Sequence, residues 1–152
     1  MKLLDYIFEF AYEQNSALEK IEDKMPQLSA HLIKVLVFED DINQKHWRAE
    51  ILTFIDSIDN YCDIKSKNRR ISAKTIKKSL SNTLEDRYFE KILKKLYRNY
   101  DTKLFPADKT NKQILFDSLR EFYDNLFVWL EKDVINDDEI LDLLKKLSAR
   151  II

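Results

Sequence analysis

Glycine is absent from all 152 residues, where average usage of roughly 7% would place about ten. A phosphate-cradling loop, a dinucleotide fingerprint and a nucleophile elbow all need glycine, because the backbone must turn sharply or approach a ligand closely. None of the three can be built from this chain. Tight Asn-Gly and Asp-Gly hairpins are excluded as well, which lowers the expectation of β-structure. Helices that would commonly stop on glycine must stop on Asn, Asp or Lys. Cysteine is almost as scarce. Cys62 stands alone, so there is no intrachain disulfide and no thiolate zinc cluster, and a reducing compartment fits. Long apolar runs are missing too. The opening Met1-Lys2-Leu3-Leu4-Asp5 is interrupted by Asp5 and again by Glu9, which reads as neither a signal peptide nor a membrane span. The expected location is cytoplasmic, with no membrane partner.

What remains is hydrophobic and charged, at 45% and 35% of residues. Apolar residues recur with a period near 3.6 and not 2. One helix is expected over about 2–24, with Leu4, Phe8, Ala11, Leu18 and Ile21 on one side and a capping box at Ser16 and Glu19 that can divide it. Pro26 is expected to open a second helix over 27–39. Asn43 reads as the cap of a third, striped with Trp47, Ile51, Phe54, Ile55, Ile58 and Tyr61. Residues 63–71 read as a polar loop and Ser72 as the next cap. Thr83 with Asp86 suggests a fresh helix to about Asn99, whose apolar side ends at Tyr100. Residues 101–110, with Pro106, read as a break. Asn111 and Asn136 are expected to cap the last two helices. The fold class is therefore all-α: one domain over 1–152, an irregular antiparallel bundle of six or seven helices. Its expected core includes Phe8, Leu32, Val35, Trp47, Ile51, Phe54, Ile58, Ile92, Leu96, Leu119, Phe122, Leu126, Leu144 and Leu147.

Net charge is −1, but it is unevenly distributed. Residues 1–63 sum to −7, residues 64–103 to +9 and residues 104–152 to −3. Lys65, Lys67, Arg69, Arg70, Lys74, Lys77 and Lys78 run without an intervening acid. Lys91, Lys94, Lys95 and Arg98 follow at i, i+3, i+4 and i+7, which puts them on one helix face. With Tyr88 and Tyr97 nearby, these eleven cations form the candidate partner-binding face, suited to an acidic protein surface or a phosphate backbone. The bland alternative is a solvated face neutralised by the acidic first segment.

Other chemistry is thin. His31 lies on an apolar side, and His46 has Glu50 at i+4, a spacing that can share a metal or a proton. Glu19, Glu22 and Asp23 on one helix and Glu50, Asp56, Asp59 and Asp63 on another can be imagined around a divalent ion. Cys62 has no base beside it and reads as inert packing. No residue is assigned as catalytic, no metal ligand is assigned, and no cofactor is expected.

His31-Leu32-Ile33-Lys34, followed by Trp47-Arg48 and Ile51, resembles the central motif of the bacterial all-helical family known as domain of unknown function twenty-nine. Tyr97, Tyr100 and Phe105-Pro106 fit its later tyrosine-bearing helix and Phe-Pro pair. The likeness covers residues 31–51 and 92–106 and leaves 111–152 without a counterpart. It implies a helical bundle and supplies no activity.

The expected function is a non-enzymatic interaction module, a small adaptor or inhibitor from a bacterial, plasmid or phage locus. A protein is the first expected partner, with nucleic acid as the other use of the basic face. The alternative is a small metal-dependent helical hydrolase. The helix over 111–130 carries Phe116, Tyr123 and Phe127 outside its main stripe, so self-association through residues 116–127 is also expected.

Overall fold

The computed structural model describes residues 2–38, 41–99 and 109–151. Helix α1 (Leu3–Val37) is continuous, 35 residues long, and contains Pro26 in its interior. The division expected at Ser16 or Pro26 does not occur. Its buried positions Ala17, Ile21, Met25, Leu28, Leu32 and Leu36 form one stripe across the proline, and their packing outweighs the local breaker. Both Pro26 and Glu22 are exposed, so the Glu22 carbonyl that loses its i+4 donor lies on the solvent side. Pro26→Ala restores that donor and should stabilise the fold by about 1–3 kcal/mol. A melting temperature raised by at least about 2 °C is the expected result. A lowered one would show that the helix packs only because it is kinked.

The chain then reverses. Asn43 occupies the cap position of α2 (Gln44–Tyr61), but its side chain does not cap the helix. The Asp41 carboxylate organises the turn, accepting from the Asn43 backbone N–H at 2.7 Å and side-chain amide at 2.9 Å. Gln44 Nε2 donates to the Val35 and Phe38 carbonyls at 2.9 and 2.7 Å, closing the end of α1. Trp47, Ile51, Phe54, Ile55 and Ile58 face α1 as the sequence stripe requires.

Residues 63–71 are more than a polar loop. Strands β1 (Asp63–Ile64) and β2 (Arg69–Arg70) pair antiparallel, Asp63 opposite Arg70 and Ile64 opposite Arg69, around a 3-10 turn at Lys65–Lys67. The turn needs a left-handed residue. Without glycine that position falls to Asn68, at φ 48° and ψ 46°, one of the few other residues that tolerates it. Ile64 and Ile71 are buried and anchor the hairpin.

Ser72 caps α3 (Ala73–Ser79), its hydroxyl accepting from Thr75 N at 3.2 Å. A 3-10 turn at Ser81–Leu84 absorbs Thr83, whose hydroxyl donates to the Leu80 carbonyl at 2.7 Å. Helix α4 (Asp86–Asn99) therefore starts at Asp86, not Thr83. Helix α5 (Lys109–Trp129) begins before Asn111, which lies inside it and is not its cap. Asn136 does cap α6 (Asp137–Ser148), accepting from Asp138 N at 2.9 Å. Tyr100, Phe105, Pro106 and the rest of 101–108 lie outside the described residues.

The result is an all-α antiparallel bundle, with six α-helices and one two-stranded hairpin among the described residues. Helix α1 is in contact with α2, α4, α5 and α6, and α5 with α1, α3 and α6. Phe89 of α4 stacks on both Phe116 and Tyr123 of α5, at 6.4 and 6.0 Å between ring centroids. Thirteen of the fourteen expected core residues are buried. The exception is Phe8, which is 63% exposed. The buried face of α1 starts only at Ala17, because α2 is half the length of α1 and does not reach its first turns. No helix among the described residues is long and apolar enough to cross a membrane.

Candidate interaction surfaces

Helix α4 is two-sided. Phe89, Ile92, Leu93 and Leu96 are buried, and Lys91, Lys94, Lys95 and Arg98 are exposed on the opposite side. Arg87, not singled out from sequence, extends the row by one turn and is exposed as well. Its signal was available, since it stands four residues before Lys91. Arg87, Glu90, Lys91 and Lys94 line a shallow hollow on this side. Among the described residues, no ion pair engages any of the five cations.

The remaining cations are placed differently. Lys67 is partly buried. Its ammonium donates to Glu9 at 2.5 Å and lies 4.9 Å from the Tyr6 ring centroid. The hydrogen bond to Glu9 holds its pKa above the usual lysine value. Arg69 lies over Phe10 at 5.2 Å and Tyr6 at 5.9 Å. Arg70 is bound on three sides: Nε and Nη2 donate to the Leu130 carbonyl at 3.2 and 2.7 Å, Nη1 to Asp63 at 2.8 Å, and Nη2 pairs with Asp59. Lys67 and Arg70 thus clip the acidic first segment and the end of α5, while Lys65 and Arg69 are exposed and make no ion pair among the described residues. Lys65 is exposed beside a groove of about 380 Å³ that also includes Tyr12 and Tyr61.

Arg70→Ala should cost about 2 kcal/mol of stability, since charge-assisted bonds to partly buried carbonyls are worth about 1.5–3 kcal/mol and the side chain is still 32% exposed. Arg70→Lys should recover less than half of that, lacking the planar fork. Urea unfolding of the two variants measures both effects, and equal stability of Arg70→Ala and wild type would contradict them.

On α3, Lys74, Lys77 and Lys78 are all exposed, and Lys77 also lies 3.7 Å from Asp124 and 6.0 Å from the Phe127 ring centroid. Helix α3 contacts α5, and α4 contacts both α1 and, through Phe89 and Asp86, α5. The two tyrosines do not flank a binding strip. The Tyr88 hydroxyl is buried, its ring edge-on to Phe89, and burial raises its pKa. Tyr97 is half-buried, and burial raises its pKa too.

The surface expected for self-association is core. Phe116, Tyr123 and Phe127 are 7%, 1% and 6% exposed. Helix α5 is apolar around much of its circumference because it is packed on several sides, which corrects the reading of residues 116–127 as an oligomer contact.

The candidate catalytic groups do not assemble. Among the described residues, no three of His, Cys, Asp or Glu gather closely enough to hold a metal ion, so the carboxylates of α1 and α2 do not converge. Asp59 and Asp63 instead pair with Arg70. His31 Nδ1 lies 2.8 Å from the Gln27 carbonyl and its ring is edge-on to Phe54, with burial lowering its pKa. Cys62 is fully buried. Its thiol donates to the Ile58 carbonyl at 3.2 Å, and burial pushes its pKa up to about 12, the opposite of a reactive thiolate.

Leu32, Ile33, Trp47 and Ile51, which carry the family resemblance, are all buried, and the Lys34 ammonium lies 5.3 Å from the Trp47 ring centroid. They are the packing contact of α1 with α2. No protein-family model, curated protein or solved structure matches this chain.

Proposed function

We propose that the protein works by binding, as a non-enzymatic helical module of the adaptor or inhibitor kind, with α4 as the contact to an acidic protein surface. One observation carries this reading: the exposed row Arg87, Lys91, Lys94, Lys95 and Arg98, five cations that share their side of α4 with one acid, Glu90, and make no ion pair among the described residues. Residues 1–63, at net −7, are the most acidic part of the molecule and leave this row alone, while they engage the hairpin cations. A ridge of this length, roughly 16 Å at 1.5 Å per residue, matches one face of a partner helix.

Nucleic acid is less well supported. The Tyr88 hydroxyl is buried and its ring lies edge-on to Phe89 instead of offering a stacking platform. Hydrolysis has no support, because the carboxylates it needs are dispersed. The test is affinity capture from an extract of the source organism, comparing wild type with a variant carrying Lys91, Lys94, Lys95 and Arg98 changed to Glu. A stoichiometric protein held by the first and lost by the second is expected. A gel shift of mixed duplex, single-stranded DNA or RNA at micromolar protein, with no protein captured, would move the reading to nucleic acid. Neither result would end it.

A further inference from the structure

The end of α1, the start of α2 and the last turns of α6 meet around a cleft of about 240 Å³. Val35 reaches it from α1, and Gln44 and Arg48 from α2. Helix α6 supplies Leu141, Leu144, Lys145 and Ser148. The spacing is helical on both sides, i and i+4 on α2 and i, i+3, i+4 and i+7 on α6, so each helix turns one stripe to the cleft. Val35, Leu144 and Ser148 are buried and form the floor. Arg48 and Lys145 are exposed and form the rim.

The charge at this rim has one sign. The chain has 27 acidic residues, and none of them lines the cleft. Elsewhere Arg70, Arg120 and Arg150 each pair with a carboxylate. Arg48 and Lys145 make no ion pair among the described residues. Arg48 engages the Gln44 carbonyl through Nε alone, at 3.4 Å, which leaves its Nη edge for a two-pronged acceptor. The Ser148 hydroxyl donates to the Leu36 carbonyl at 3.4 Å, long beside the usual O–H bond of about 2.7–2.8 Å. It is a buried donor that a closer anion can claim.

We infer that this cleft binds a small aliphatic carboxylic acid in its ionised form. The carboxylate lies between Arg48 and Lys145, and the hydrocarbon chain lies on Val35, Leu141 and Leu144. Phosphate is the poorer occupant, because it has no apolar part to cover that floor. The cleft is also smaller than the roughly 300–1,000 Å³ of sites for drug-sized ligands, which favours a free acid of a few carbons over the end of a peptide. None of these residues belongs to α4, so the inference stands apart from the partner contact proposed above.

The test is a titration of the isotope-labelled full chain with sodium isocaproate, read by backbone amide chemical shifts. Gln44, Arg48, Leu144 and Lys145 should shift saturably with a Kd of about 1 mM, within the affinity per atom that small ligands reach. The uncharged isocaproamide should bind at least about tenfold more weakly, having lost the charge-assisted hydrogen bonds. Inorganic phosphate and an acetylated tripeptide ending in leucine should be weaker by a similar factor. Arg48→Gln combined with Lys145→Gln should weaken isocaproate at least about tenfold. It should leave the melting temperature within about 2 °C, since neither side chain is in an ion pair. No saturable shift at about 20 mM isocaproate, equal binding of the amide, or an unaffected double variant would overturn the inference. Phosphate binding as tightly as isocaproate would show that the apolar floor plays no part. The tripeptide binding as tightly would assign the cleft to the C-terminus of another chain. Either result would overturn the inference as well.

Discussion

Tyr123→Ala is expected to destabilise the protein by about 4 kcal/mol, the range for removing a large buried aromatic. The ring is 1% exposed, stacked on Phe89 at 6.0 Å and edge-on to Phe122 at 6.2 Å. Its hydroxyl shares a 2.5 Å hydrogen bond with Ser29 of α1, so the one side chain joins α1, α4 and α5. At roughly 2–4 °C per kcal/mol for a chain of this size, the melting temperature should fall by about 8–16 °C. Tyr123→Phe separates the two contributions. It keeps the ring and leaves the Ser29 hydroxyl unpaired, which should cost about 1–2 kcal/mol. Urea unfolding followed by tryptophan fluorescence reads both. If Tyr123→Ala were as stable as wild type within about 0.5 kcal/mol but altered the association state, α5 would be a surface helix after all.

Changing Lys91, Lys94, Lys95 and Arg98 to Glu should weaken the captured partner at least 100-fold while leaving folding stability within about 1 kcal/mol. An exposed ion pair contributes about 0.2–1 kcal/mol. Reversal removes four such contacts and replaces each with a repulsion of similar size, so the summed loss is about 1.6–8 kcal/mol, with a mid-range value near 5 kcal/mol that passes the roughly 2.8 kcal/mol of a 100-fold loss. Stability should hardly move, because these side chains pair with nothing among the described residues. Wild-type affinity should also fall with added salt, as the screening length shrinks from about 10 Å at 0.1 M to 3 Å at 1 M. Titration calorimetry at two salt concentrations, with thermal melts of both proteins, measures all three quantities. A salt-independent affinity, or a variant that binds within fivefold of wild type, would place the contact elsewhere.

The all-α class was legible because hydrophobic period and the absence of glycine point the same way. Ser72 and Asn136 were legible as caps because each has a helix start directly behind it. Asn43 and Asn111 failed as caps for opposite reasons: a neighbouring carboxylate at Asp41 claims the turn in one case, and the helix starts earlier in the other. Pro26 failed as a boundary because a stripe of buried residues continues on either side of it.

The sharpest misreading concerns two apolar surfaces that look alike as sequence. Phe8 and Phe127 both sit on amphipathic helices. Periodicity reports that a face is apolar, and not how many neighbours surround the helix. Phe127 is buried because α5 is packed by α1, α3 and α6, and Phe8 is exposed because α2 ends short of it. The basic ridge of α4 was readable from spacing alone. That Lys67 and Arg70 belong to the hairpin's anchorage was not, because Glu9 is brought to Lys67 by the reversal of α1 into α2 and Asp59 to Arg70 by the folding back of the hairpin.

Binding through α4 is tested most directly by lysine footprinting. The protein is acetylated with a limiting reagent, free and with its captured partner, and each lysine is quantified by mass spectrometry. Lys91, Lys94 and Lys95 should lose at least fivefold in reactivity on complex formation, with Lys145 and Lys146 of α6 unchanged as internal references. Unchanged reactivity of the α4 lysines in a saturated complex would contradict the proposed function.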